Sequence, residues 1–226
     1  MPYRVRVWDL PTRLFHWLLV LCVLALVVTG YTGGAAMEWH ARLGYTVLTL
    51  LLFRLVWGFV GGHWSQFRSF LPSPAKVSAY LRGSAHPDHL VGHNPLGAGS
   101  VFAMLLALLV QVLTGMVSDD DAGFTGPLNR FVSSARGLQA TWYHKAVGQW
   151  LIVALVLLHV AAVIYYLKRK RQNLVRTMVV GDKDLPAPAA SSRDDLVSRA
   201  IALVLTLACA GVVAWLVSLG NLASAQ

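Results

Sequence analysis

The stretch Tyr143-His144-Lys145-Ala146-Val147-Gly148-Gln149-Trp150-Leu151-Ile152-Val153-Ala154-Leu155-Val156-Leu157-Leu158-His159 carries a histidine near each end and one charge, Lys145, between them. So apolar a run is at home in hydrocarbon as a helix, because a helix satisfies its own backbone donors and acceptors. The steps from His144 to His159 amount to about 22 Å of rise and leave the two side chains about 60° apart on one face. One helix thus addresses two depths of a bilayer.

Four further apolar stretches flank it, at 14–31, 43–60, 101–117 and 200–219, with 150–167 as the fourth in chain order. Hydrophobic residues make up 56% of the 226 and charged residues 13%, with a mean hydropathy of +0.58. That balance leaves room for four or five spans and no large extramembrane enzyme domain. The first span is read as retained rather than as a signal peptide: it is too long, and Asp9-Leu10-Pro11 has the form of a helix N-cap followed by proline in the first turn. Cys22 and Cys209 lie inside apolar runs with no C-x-x-C pattern, which disfavours covalent c-type haem and an iron–sulfur cluster.

The net charge of +9 comes from bases set beside apolar runs, a pattern that suits anionic lipid and not nucleic acid. Arg4, Arg6, Arg13, Arg68, Lys76, Arg82, Lys168, Arg169, Lys170, Arg171, Arg176, Lys183, Arg193 and Arg199 fall on one side, whereas Arg42, Arg130, Arg136 and Lys145 fall on the other with Asp119-Asp120-Asp121. The positive-inside rule then predicts a cytoplasmic N-terminus and, after five spans, a C-terminus on the outer side. Residues 1–180 form the expected core and 181–199, rich in Pro, Ala and Ser, a cytoplasmic linker. The remainder, 200–226, is an appended fifth helix with a short periplasmic tail. The fold class expected is an all-α membrane protein, a four-transmembrane-helix bundle plus an additional C-terminal helix.

Eight histidines in so apolar a chain are the informative excess, since ionisable groups within spans are costly. His16 and His159 share the inner level; His40 and His144 share the outer one. Neutral imidazoles in pairs suit the two axial positions of a b-type haem, and its flat macrocycle suits a slot between helices. Gly44 and Gly148 each follow a histidine by four residues, so porphyrin could lie against backbone there. Arg42 and Lys145, at the outer level, are candidates to meet haem propionates. Arg54, about 21 Å below His40, is read as a propionate partner or a support of the inner haem, with snorkelling to headgroups as the alternative. His63, His86-Pro87-Asp88-His89 and His93 form a loop group, read as a solvated interface; a metal site, a proton path or a quinone entrance are its other readings.

Several segments also resemble a known family. Val7-Trp8-Asp9-Leu10-Pro11-Thr12-Arg13-Leu14-Phe15-His16-Trp17, Trp39-His40-Ala41-Arg42-Leu43-Gly44-Tyr45, Phe53-Arg54-Leu55-Val56-Trp57-Gly58, Gly92-His93-Asn94-Pro95-Leu96-Gly97, Tyr143-His144-Lys145-Ala146-Val147-Gly148 and Leu158-His159 stand in the order seen in bacterial cytochrome b561 proteins and the cytochrome b subunits of nickel–iron hydrogenases. The resemblance covers roughly residues 5–170. It implies two bis-histidine haems b, on His16 with His159 and on His40 with His144. It also implies exchange of electrons between ubiquinone or menaquinone and a redox partner.

The expected function is therefore single-electron transfer between the quinone pool and a periplasmic c-type cytochrome or a small oxidant or reductant. The alternative is the membrane-anchoring cytochrome b of a hydrogenase or other periplasmic dehydrogenase. A histidine-relay proton channel or transporter is the non-redox alternative. The Asp119–Asp121 run is either a solvated loop or a dock for a basic cytochrome. A homodimer is compatible with all of these readings.

Overall fold

The computed structural model describes residues 3–71, 73–83, 89, 91–121 and 123–221. His86, Pro87 and Asp88 of the histidine loop, and the tail 222–226, lie outside them. Five helices are long and apolar enough to cross a membrane. These are α1 (Leu10–Thr32), α2 (Ala36–Val60), α4 (Pro95–Val117), the continuous rod formed by α5 (Ser134–Trp142), a π-helical segment (Tyr143–Gly148) and α6 (Gln149–Lys168), and α8 (Leu196–Asn221). Shorter elements fill the connections: α3 (Pro74–Leu81), α7 (Leu174–Val180) and the strands β1 (Tyr3–Arg6) and β2 (Asp182–Leu185). Large apolar side chains such as Leu21, Leu24 and Val28 on α1, and Leu157 and Leu158 on α6, are left exposed. Lipid is the solvent in which that exposure costs nothing.

By its contacts the chain divides into two units. The first comprises residues 1–16, 54–104 and 155–204, and the second residues 17–53, 105–154 and 205–226.

The first unit contains a small water-type core. β1 pairs antiparallel with β2, from Tyr3 opposite Leu185 to Arg6 opposite Asp182, and Val5, Val7, Trp8, Trp64, Val91 and Leu185 pack beneath. Gly181 ends α7 with φ +90°, and its carbonyl accepts from the amides of Val7 and Trp8. Glycine takes that left-handed conformation without strain. The segment expected as a linker is thus built into the fold. Asp182–Leu185 is a strand, Ser192 donates to the Val7 carbonyl at 2.7 Å and accepts from the Trp64 amide at 3.1 Å, and Asp194 accepts from the Leu10 amide at 3.1 Å. Composition pointed to a flexible stretch, but backbone pairing and buried acceptors outweigh it.

The second unit holds the opposite helix ends. There Asn129 donates to the Val117 carbonyl at 2.8 Å, Thr141 donates to the Asp119 carbonyl at 2.7 Å, and the Pro127 carbonyl lies close to Gly220 of α8.

Candidate functional site

Within the first unit the imidazoles of His16 and His159 face each other with ring centres 6.4 Å apart. Within the second, His40 and His144 do the same at 6.2 Å. In each case the facing rings belong to histidines that share a level in the sequence. A metal ion gripped by two imidazoles separates their centres by roughly 6 Å, from about 2 Å of metal–nitrogen bond and about 1 Å to the ring centre on each side. Both pairs have that spacing.

The second pair is held by neighbouring helices. His40 Nδ1 lies 3.1 Å from the Leu26 carbonyl and 3.2 Å from Thr29 Oγ1. His144 Nδ1 lies 2.8 Å from the Gln111 carbonyl and 3.4 Å from Thr114 Oγ1. A carbonyl only accepts, so Nδ1 carries the proton and donates in both rings, leaving the Nε2 lone pair to bind a metal. An added Cβ at Gly30 would meet His40 Cε1 at 3.2 Å, and one at Gly115 would meet His144 Cε1 at 3.1 Å. Glycine is what allows each ring so close to the next helix. Sequence reading missed these residues. The signal was present as a repeat, Leu26-x-x-Thr29-Gly30 and Gln111-x-x-Thr114-Gly115.

The backbone around His144 departs from the regular helix assumed above. Tyr143–Gly148 is π-helical, and the His144 carbonyl accepts both from the Gln149 amide and from Gln111 Nε2, the latter at 3.0 Å. Such segments occur frequently at functional sites. The uniform rotation of about 100° per residue behind the 60° figure does not hold through it. Gly44 and Gly148 differ as well: an added Cβ at Gly44 would have nothing within 4 Å, whereas one at Gly148 would lie 1.9 Å from Gln111 Oε1. Gly148 therefore makes room for the Gln111 amide, and Gly44 faces open space. Arg42 forms an ion pair with Glu38 and lies over the Trp39 ring. Lys145 approaches Asp120 at 3.8 Å, and Asp120 Oδ1 also accepts from the Phe124 amide. The acidic run is thus partly satisfied from within.

The unit that holds the first pair also buries polar groups. Asp9, which accepts from the Thr12 amide as the predicted N-cap, is fully buried. It also accepts from Trp57 Nε1 at 3.1 Å, the Gly62 amide at 3.1 Å and Ser65 Oγ at 2.5 Å. One carboxylate thereby ties the start of α1 to the end of α2 and the turn after it. Arg54 is only 3% exposed, so it does not snorkel. Its Nη2 donates to the Ser65 carbonyl at 3.0 Å and its guanidinium stands 4.6 Å from the Phe67 ring centre, while Nη1 is buried with no hydrogen-bond partner among the described residues.

His93, expected in a solvated loop, is wedged between Trp8 and Phe70, with ring centres at 4.8 and 4.5 Å. Burial, then the charges of Arg54 and His159, push its pKa down from 6.5 to about 3. It is neutral at pH 7, and its Nδ1 is also buried and unpartnered among the described residues. His63 packs on Trp64 and His89 on Tyr80. Among the described residues no group of three or more His, Cys, Asp or Glu side chains could hold a metal ion.

The sequence pattern of prokaryotic cytochrome b561 matches residues 7–181, more than three quarters of the chain. The chain belongs to the prokaryotic cytochrome b561 family. A protein of Azotobacter vinelandii named a probable Ni/Fe-hydrogenase B-type cytochrome subunit is 28% identical over 211 residues, covering 78% of this chain and 87% of its own length. Similarly named proteins of Cupriavidus necator (29% over 211 residues; 77% of this chain, 85% of theirs) and Escherichia coli K12 (25% over 209; 77% and 88%) are related in the same way. This family member is therefore a multi-pass membrane cytochrome of the b type, with haem b and a role in electron transport. Its residues fit that cofactor: two facing imidazole pairs at iron-ligand spacing, protonated Nδ1 atoms anchored on carbonyls in one pair, and a buried, half-satisfied guanidinium in the unit that holds the other.

Proposed function

We propose that this cytochrome holds two haems b, one between His16 and His159 and the other between His40 and His144, and carries single electrons between a periplasmic dehydrogenase of the hydrogenase type and membrane quinone. The two ring pairs, each at the separation a doubly coordinated metal needs, carry this reading. The names of its relatives favour a hydrogenase-like partner over a soluble cytochrome. Within the Asp119–Asp121 run, Asp120 is partly engaged by Lys145 and the Phe124 amide.

Haem b, when bound, supplies a one-electron ferric–ferrous couple. His16 with His159 and His40 with His144 would each hold one haem, and with two imidazoles taken up by each iron, oxygen would find no ligand position. Leu26, Gln111 and the two threonines keep the His40 and His144 rings from rotating. Arg54 Nη1 is a donor suited to a haem propionate at the His16–His159 site. The base-rich loops face the cytoplasm, which puts His40 and His144 on the periplasmic side, nearest the partner.

The test is to purify the full chain in detergent, record reduced-minus-oxidised spectra, and count haem per chain as pyridine haemochrome. Two haems b per chain support the reading; none would refute it. Co-purification with a metal-containing dehydrogenase from the native membrane supports the partner assignment. Rapid reduction by a soluble c-type cytochrome, without any such subunit, would replace it.

A further inference from the structure

Only part of the second site is used by metal ligation itself. The remainder is a duplicated arrangement, and it rests on the two-haem reading just given. In each copy a helix offers a carbonyl, three residues later a threonine, and then a glycine: Leu26, Thr29 and Gly30 for His40, and Gln111, Thr114 and Gly115 for His144. Each threonine hydroxyl spends its proton within its own helix, Thr29 donating to the Ala25 carbonyl at 2.8 Å and Thr114 to the Val110 carbonyl at 2.9 Å. Its lone pair is then what faces Nδ1–H, so each imidazole proton is shared between a carbonyl and a hydroxyl oxygen.

We propose that Thr29-Gly30 and Thr114-Gly115 form a twofold clasp that orients the rings of His40 and His144 and holds down the reduction potential of the haem they bind. The physical reason is ligand basicity. Acceptors on Nδ1–H push electron density toward Nε2, which makes the imidazole a stronger donor and favours the more positively charged ferric iron. The glycines matter because a Cβ at either position would stand within 3.2 Å of the ring, so the ring would have to tilt or retreat. These are positioning residues: they act through histidines and do not touch the iron.

The variants Thr29→Val and Thr114→Val keep shape and β-branching but remove the acceptor. Thr29→Ser and Thr114→Ser restore it. Thr46→Val, whose hydroxyl donates only to the Arg42 carbonyl on an exposed face, is the control. Each full-length variant is titrated potentiometrically in detergent, with haem counted per chain and low-spin EPR spectra recorded. The haem lost in His40→Ala identifies which midpoint is which.

The expected result is an upward shift of that one midpoint in either valine variant and a larger shift in the double variant. Its largest g value should move, the serine variants should return to the wild-type midpoint, and two haems should be retained throughout. An unchanged midpoint and EPR signal in the double variant would overturn the clasp while leaving the two-haem reading intact. A shift confined to the other haem would overturn it too. A wild-type preparation without two haems would overturn the reading beneath it, and the clasp with it.

Discussion

The two histidine pairs have nearly the same ring separation but are supported in opposite ways. His40 and His144 stand in a repeated setting, each with Nδ1 on a neighbouring helix's carbonyl, a threonine beside it and a glycine beneath the ring. The surroundings of His16 and His159 are not repeated: a fully buried Asp9, a buried Arg54, and His93 between two aromatic rings. The lesson is that two facing imidazole pairs can sit in different settings, one with its rings on carbonyl and hydroxyl acceptors of neighbouring helices and the other in a unit that also buries charge. Acceptors of that kind fix ring orientation at little desolvation cost, whereas buried charge carries that cost and needs partners of its own.

The strongest way to break this comparison is to remove ligands. His40→Ala and His144→Ala should each remove the same haem, and His16→Ala and His159→Ala the other, so that haemochrome content falls from two per chain to one. Losses that cross between the pairs would sink the pairing.

Next in size, Asp9→Ala strips a buried acceptor from four donors and leaves Arg54 without its nearby anion. It should cost about 3–5 kcal/mol, read as a lower melting temperature in detergent. The haem of His16 and His159 should be released first on heating, and the other retained.

Gln111→Leu removes the donor to the His144 carbonyl. It should cost about 1 kcal/mol and perturb the spectrum of the His40–His144 haem only, which sharpens the claim that the π-helical segment serves that site.

The smallest effect concerns acid. Asp194 is ion-paired with Arg6 and Arg199 at 3.1 and 3.0 Å. Burial opposes its charge, but the hydrogen bonds from Arg199 and the Leu10 amide, with the charges of Arg199 and Arg6, hold its carboxyl below the ordinary 3.8. A depressed carboxyl contributes stability that is full above its unfolded value and disappears as pH falls through the folded one. Stability scans should therefore show an added loss below about pH 4 that is absent in Asp194→Asn, and the first unit should loosen before the second.

Much of this was legible without coordinates. Apolar runs longer than a globular core needs announced the spans, and the Asp9-Leu10-Pro11 signature marked where α1 begins, because capping is a local property of sequence. The histidine pairing followed from depth along helices. What composition misread were features settled by distant partners. Residues 181–199 looked like a linker, yet Asp182–Leu185 is a strand and Ser192 and Asp194 bond back to the first unit. His93 looked solvated, yet it is half-buried, with its ring between Trp8 and Phe70. Arg42 and Lys145, candidates for propionates on depth alone, have neighbours that depth does not show, Glu38 and Asp120.

By itself, then, the sequence determined that five helices of this chain prefer lipid and that four imidazoles fall at two depths, because hydrophobicity and helical rise are properties of a single segment. Only the tertiary structure decided how each imidazole is held. The Thr-Gly clasps, the Gln111 amide against Gly148, and the Asp9 hub each join groups from different helices, and such contacts exist only once those helices have packed.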